Sequence, residues 1–373
     1  MSKAAELANL IGNINAGGGG VNRNLIINGA MNVAQRGTSS TGLGADNGYF
    51  TCDRWRHVFN TSGRLTSTQD SSAPSGFANS LKFACTTADT SIASGEYLFL
   101  SQKIEGQNLQ SFAKGTSDAK PFAVSFYVKG NASATYVCEL FDNDNTRQIS
   151  KTFNVTTDWT RVELTFPADT TGTFGDDNAA SLTFSIWLHA GSDYTSGTIN
   201  SSAWASNTSA NRVGSGTTSF FDSTDRTFFL TGVQLEVGQN PTSFEHELFQ
   251  ETFEKCLRYT RRIPAKDSTS GGGFNGLGAG GKNDSTTLNH TYHYFEPHMR
   301  DDPAIESQSG SFRIHHANAA TAVNASIALD DNLCGSSMVV LNCATAGSLT
   351  AGQAGLCGQN DDNDAHIILE SEL

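Results

Sequence analysis

From Asn24 to about residue 243 the sequence is a succession of short apolar or alternating runs. Each is closed by a cluster of Gly, Ser, Thr, Asn or Asp. Residues 122–128 (FAVSFYV) run apolar, residues 135–141 answer them across a turn at Gly130, and residues 160–166, 182–188 and 227–235 continue the pattern. Side chains in a strand alternate between two faces, so such runs bury one face and wet the other. About ten of them, separated by polar turns, predict an antiparallel sandwich or jelly roll. The composition agrees: 37 glycines and only 16% charged residues suit many turns and few solvated helices.

The flanking segments differ. Residues 2–14 read as a short helix with Leu7, Leu10, Ile11 and Ile14 toward one side, followed by a glycine tether over residues 16–20. A helix this short is marginal alone, but several copies could bundle on that seam. Phe249, Phe253, Cys256, Leu257 and Thr260 fall on one helical face, and Pro264 stops the pattern. After a glycine-rich loop, strand patterns resume at residues 290–295, 311–315, 323–329, 338–343 and 366–370. The expected organisation is therefore an anchor helix and tether (1–20), a jelly roll (21–243), a connecting helix (244–264) and a smaller C-terminal β-domain (265–373) forming the distal tip. The predicted class is all-β.

Several functions are disfavoured. The formal net charge is −13 and no Lys/Arg cluster occurs, so nucleic acid is not an expected partner. No segment approaches the roughly 20 apolar residues that span a bilayer, so membrane insertion is not expected. The seven cysteines are scattered without a CxxC pair, which predicts buried or free thiols rather than zinc ligands or disulfides. Gly276, Gly281 and Lys282 match the spacing of a phosphate loop, but Asn283 stands where Ser or Thr should follow. No GxSxG or HExxH occurs. His290 and His293 fall on opposite faces of a strand, as do the adjacent His315 and His316, so no shared metal site is expected of them. Asp142-Asn143-Asp144-Asn145 begins like a calcium loop and lacks the glycine and distal glutamate of one. No cofactor is expected, with a structural calcium left open. Trp55, with Asp53 and Arg54, reads as a core residue, and Gln234 and Glu236 as the polar face of a strand.

Several segments resemble tail fibre proteins of marine tailed bacteriophages of the cyanophage type. At the start these are residues 24–31 (NLIINGAM), 34–37 (AQRG) and Asp53-Arg54-Trp55. At the close they are residues 232–238 (GVQLEVG), Phe244-Glu245-His246 and residues 255–259 (KCLRY). Residues 125–130 with Trp159-Thr160-Arg161 resemble a carbohydrate-binding-module jelly roll, and Met299-Arg300, Pro303 and residues 370–373 are similar to the fibres' C-terminal domain. The resemblance implies a non-enzymatic virion protein, made in the host cytoplasm without export and located on the tail. It implies a homotrimer, docked to tail proteins of the adaptor or nozzle region through its N-terminus. Leu7, Leu10, Ile11 and Ile14 would then be the anchoring residues, and the receptor a host glycan or outer-membrane protein. Sugar binding uses aromatic faces beside amides and hydroxyls. Tyr194, Trp204, Phe274, Tyr292 and Tyr294 are the candidates in or beside polar loops and strands. Two other readings compete: a passive virion protein such as a capsid decoration, and a polysaccharide depolymerase.

Overall fold

The computed structural model describes residues 2–15, 22–264, 276–316, 323–360, 362 and 364–373. The chain divides into two compact units, Met1–Thr252 with Leu373, and Phe253–Glu372.

The first unit opens with helix α1 (Lys3–Asn15). Its strands are β1 (Ser39–Leu43), β2 (Gly48–Tyr49), β3 (Arg56–Asn60), β4 (Arg64–Asp70), β5 (Ser80–Thr87), β6 (Tyr97–Glu105) and β7 (Phe122–Gly130). They continue with β8 (Ala134–Asp142), β9 (Arg147–Val155), β10 (Thr160–Phe166), β11 (Ala180–Ala190), β12 (Ala205–Ser206) and β13 (Thr227–Val237), with a single helical turn, α2 (Ser192–Thr195), after β11. One sheet has the order β1-β4-β5-β13-β7-β10 and the other β12-β9-β8-β11-β6-β3-β2. The paired strands run antiparallel. This is the jelly-roll sandwich that the alternation predicts.

Period-two alternation explains the core. β6 sends Leu98, Leu100 and Ile104 inward, and β11 sends Leu182, Phe184 and Ile186 to meet Phe122, Val124, Phe126 and Val128 of β7. Trp55 is fully buried among them, edge-on to Phe184 at 6.1 Å, with its indole N–H donating to the Asn28 carbonyl at 3.2 Å. It is the core tryptophan that its setting suggested.

The segments that open and close this unit fasten to each other. The Glu245 carboxylate accepts the backbone N–H groups of Arg23 (2.6 Å) and Asn24 (2.9 Å), and Asn24 Oδ1 accepts that of Leu235 (3.1 Å). Gln234 and Glu236 are buried rather than solvated, and Glu236 accepts the Thr242 backbone N–H at 2.7 Å, pinning the returning segment. At Gly29 the chain passes so close to β13 that an added Cβ would lie 2.2 Å from the Val233 carbonyl oxygen. Because the obstacle is backbone, Gly29→Ala should cost about 1–3 kcal/mol by forcing the two segments apart. Thermal melting of the variant checks this.

Helix α3 (Phe249–Leu257) carries the chain into the second unit. It is shorter than the helix expected over 244–264. Tyr259 N–H closes the last turn onto the Cys256 carbonyl, and Thr260–Ile263 is strand β14. Its partner is the far C-terminal strand, a pairing that local spacing cannot reveal. The further strands are β15 (Gly281–Asn283), β16 (Leu288–Tyr294), β17 (Ala304–Ser309), β18 (Phe312–His316), β19 (Val323–Leu329), β20 (Met338–Ala344), β21 (Ala354–Gln359) and β22 (His366–Glu370). β14, β22 and β17 form a three-stranded sheet, and β15-β16-β20-β19-β18-β21 close into a small barrel around Ile314, Val339, Leu341, Cys343 and Cys357. Gly281 and Lys282 pair with β16 and β21 as strand residues, which is not a phosphate-cradling loop. All seven cysteines are free thiols, six of them buried.

Candidate functional site

The outer face of the seven-stranded sheet carries a groove, and cross-strand register builds it. Three rows run across β6, β11 and β8, two of them starting on β3. The middle row aligns Arg56 with Ser101, Ser101 with Ser185, and Ser185 with Glu139. On one side Val58, Phe99, Trp187 and Val137 form an apolar row; on the other, Lys103, Thr183 and Phe141 form a mixed one. Two serines between larger neighbours leave a trough. The resulting cavity of about 200 Å³ is lined by Phe99 and Phe141, by Arg56, Lys103 and Arg212, and by hydroxyls and an amide from Ser101, Ser185, Thr183 and Asn143.

One end of the trough is fixed by a buried clamp. Glu139 is fully buried and accepts Arg212 Nε at 2.8 Å, Arg212 Nη2 at 2.6 Å and Trp187 Nε1 at 2.8 Å. The guanidinium lies 4.7 Å from the Trp187 ring centre and 5.1 Å from that of Phe141, a stacked and doubly hydrogen-bonded arginine. Burial by itself would lower the Arg212 pKa, and the facing Glu139 more than offsets this, so the net shift is upward. Arg212 belongs to the segment after α2, and Val213 and Ile199 of that segment, with Tyr194 of α2, pack on Trp187 and Val137. This roof explains why outward-facing residues are buried.

The floor and the far end are polar. Asn143, just past β8, and Thr183 of β11 bond each other, at 3.0 Å from the amide nitrogen and 3.2 Å to the amide oxygen. The Ser185 hydroxyl is buried and lacks a hydrogen-bond partner among the described residues. Buried hydroxyls are normally paired, so an unpaired one lining a cavity marks a place for a ligand hydroxyl or water. Arg56 has no ion pair or side-chain hydrogen bond among the described residues. Among the described residues no carboxylate lines the groove, Glu139 being closed off by Arg212 and Trp187, although the chain as a whole carries −13.

The described residues among those predicted as a site divide between the two units. Tyr194 is half-buried in the roof, edge-on to Tyr97 at 5.6 Å and tilted on Trp187 at 5.4 Å, so it shapes the groove wall without lining it. Trp204 departs from expectation. It is a core residue, 7% exposed, packed against Phe122 at 5.4 Å, with its indole N–H donating to the Pro167 carbonyl. Tyr292 and Tyr294 lie on β16 in the other unit, Tyr294 being 65% exposed. Phe274 lies outside the described residues. On α1, Leu7 and Ile11 are 57% and 48% exposed and Leu10 is half-buried; the Ile14 side chain is outside the described set. What could have drawn attention to the groove is β6 itself. Its outward positions read Tyr97, Phe99, Ser101 and Lys103, an aromatic-to-basic stripe against Leu98, Leu100 and Ile104 inside.

The loop at Asp142 holds a different cation from the calcium its sequence evokes. Lys114 is fully buried, with its ammonium 2.5 Å from Asp142, 3.2 Å from Asp169, and 2.9 and 2.8 Å from the Thr171 and Gly172 carbonyls. Asn145 closes the other side of Asp142.

No family model matches the sequence, and no curated protein does. Among solved structures, the chain is similar over 58% of its length to a family 61 carbohydrate-binding module in complex with β-1,4-galactotriose, covering 99% of that chain at 12% identity and a TM-score of 0.31. It is similar over 56% to the family 11 carbohydrate-binding module of Clostridium thermocellum bound to a mixed-linked tetrasaccharide (98% of that chain, 11% identity, TM-score 0.28). Over 57% it is similar to the enzymatically active domain of tailspike protein 4 of bacteriophage CBA120, of which it covers 21% at 10% identity and a TM-score of 0.30. At these TM-scores the likenesses carry no argument about what this chain binds.

Proposed function

We propose that this protein is a non-catalytic adhesin of a virion tail appendage that binds an acidic glycan in the groove on its seven-stranded sheet. The observation that carries the reading is the lining itself. Two phenyl rings, the cation of Arg56 beside Lys103 and the Glu139-paired Arg212, and an unpaired buried hydroxyl converge on one trough, with no carboxylate in its lining among the described residues. Sugar rings stack their apolar faces on aromatic rings while hydroxyls, amides and guanidinium groups take the sugar oxygens. Arg212 is already neutralised by Glu139, so Arg56 carries the preference for a sugar bearing a carboxylate or sulfate group over a neutral one. Glycoside cleavage needs a pair of carboxyl groups flanking the bond, which the lining does not supply. The segments resembling tail fibres, together with the exposed Leu7 and Ile11, support placement on a tail through an N-terminal anchor. In a homotrimer, weak single-site affinity would be multiplied by avidity.

Retention of the protein on immobilised acidic and neutral host-surface polysaccharides tests the reading. Arg56→Glu should weaken acidic-glycan binding by about 10- to 100-fold, the worth of a charge-assisted hydrogen bond. Phe99→Ala should weaken it about tenfold through lost stacking. Equal retention of neutral and acidic glycans, or undiminished binding by Arg56→Glu, refutes the groove assignment. Antibody labelling of intact virions should decorate the tail; label on the capsid shell refutes the tail placement and favours the passive decoration reading.

A further inference from the structure

A second cluster of chemistry lies apart from the groove lining. Asp89 sits in the β5–β6 connection, Glu96 immediately precedes β6, and His189 lies near the end of β11 beside a bulge in its pairing with β6. All three are buried, at 6%, 8% and 2% exposure. One ligand atom from each falls within 4.8 Å of the others. We propose that Asp89, Glu96 and His189 bind a single divalent ion of the zinc class, which ties the β5–β6 connection to the end of β11.

Three observations support this. His189 Nε2 is buried and has no hydrogen-bond partner among the described residues; its nearest carboxylate oxygen, on Glu96, is 3.9 Å away. The other ring nitrogen, Nδ1, lies 2.8 Å from Ser219 Oγ. If Nδ1 donates there, the Nε2 lone pair faces two carboxylates, an arrangement that is repulsive without a cation between them. Each carboxylate is also held by other groups. Glu96 accepts the Ala93 N–H at 2.8 Å and the Ser62 N–H at 3.2 Å, while Asp89 accepts the Thr61 hydroxyl at 3.2 Å. Outer contacts of this kind orient ligands and fix the imidazole tautomer.

The donor set selects the ion. One imidazole with two carboxylates suits zinc, whose bonds of about 2.0–2.2 Å bring tetrahedral ligand atoms to roughly 3.3–3.6 Å apart, a modest contraction of the present spacing. Calcium prefers six to eight oxygens and takes little advantage of a nitrogen donor. The ion would contract this triangle and stiffen the turn before α2. There Gly191 abuts the Ala93 carbonyl so closely that an added Cβ would lie 2.1 Å from it.

The test uses the full-length chain, stripped with a chelator and titrated with Zn²⁺ against a chromophoric competitor, and separately with Co²⁺. The expected result is one tight site per chain, with visible d–d absorption of cobalt bound by nitrogen and oxygen and no thiolate charge-transfer band. His189→Gln and Glu96→Gln should each weaken Zn²⁺ binding by more than about 100-fold, beyond the effect typical of removing an outer contact, while His290→Gln leaves it unchanged. If His189→Gln fails to fold, Glu96→Gln decides alone. Undiminished binding by Glu96→Gln, thiolate bands, no saturable site, or occupancy by Ca²⁺ that Zn²⁺ does not displace would each overturn the proposal.

Discussion

Lys114→Met is expected to cost the first unit about 3–5 kcal/mol, the range for removing one partner of a buried ion pair. At roughly 2–4 °C per kcal/mol for a unit of this size, the melting temperature should fall by about 6–20 °C. Methionine fills much of the lysine volume, so the loss is electrostatic rather than a cavity. What remains is Asp142, fully buried at 0% exposure, facing Asp169 at 4% with no ammonium between them. The Thr171 and Gly172 carbonyls lose their donor at the same time. Lys114→Met/Asp142→Leu, which removes both charges, should recover a large part of the loss. A loss under 1 kcal/mol for the single variant in a urea melt would contradict this account.

The same network predicts an acid limb. Burial pushes the Asp169 carboxyl up. Hydrogen bonds from Arg147 and the Thr171 backbone, with the Lys114 charge, more than offset this, and its pKa lies below the ordinary 3.8. A carboxyl lowered on folding contributes stability that is complete above its unfolded value and fades as pH falls through its folded one. The first unit should therefore lose stability below about pH 3.8, and Lys114→Met should lose less there because one of the lowering partners is already gone.

The all-β class, the strands at 122–128, 135–141 and 182–188, and the core position of Trp55 were legible in the sequence because each rests on local alternation. The groove was not. Ser101, Ser185 and Arg56 become neighbours only through register, and a shift of one residue would send each to the opposite face. Trp204 misled because a polar surrounding sequence resembles an exposed loop, whereas the Pro167 carbonyl and the Phe122 ring bury it. The zinc-class cluster was hidden for the same reason as the groove: His189 stands far along the chain from Asp89 and Glu96. The segments that resemble tail fibres have a structural part in this unit. Glu245, Asn24 and Gly29 are what fasten the first strand region to the last.

Glu139→Gln should affect stability and binding together. Glutamine keeps the shape and can still accept the Trp187 indole N–H. It cannot match the charge of Arg212 or accept both guanidinium nitrogens in the bidentate geometry now at 2.8 and 2.6 Å. Arg212 is 19% exposed and can recover some hydration, so the cost should sit near the low end for a broken buried pair, about 3 kcal/mol. The second effect concerns the groove. Once released, Arg212 no longer needs to lie between Phe141 and Trp187, and the roof formed by Val213, Ile199 and Tyr194 loses its tie to the sheet. Tryptic cleavage after Arg212 should then accelerate, and acidic-glycan binding should fall at least tenfold even at temperatures where the sandwich stays folded. Arg212→Lys separates the contributions: it keeps the charge and loses the planar fork, so it should retain more stability than Glu139→Gln while still losing the stacked wall. If Glu139→Gln melts early yet binds glycan with unchanged affinity when folded, the clamp serves only the fold. The recognition surface must then lie among Arg56, Lys103 and Phe99 alone.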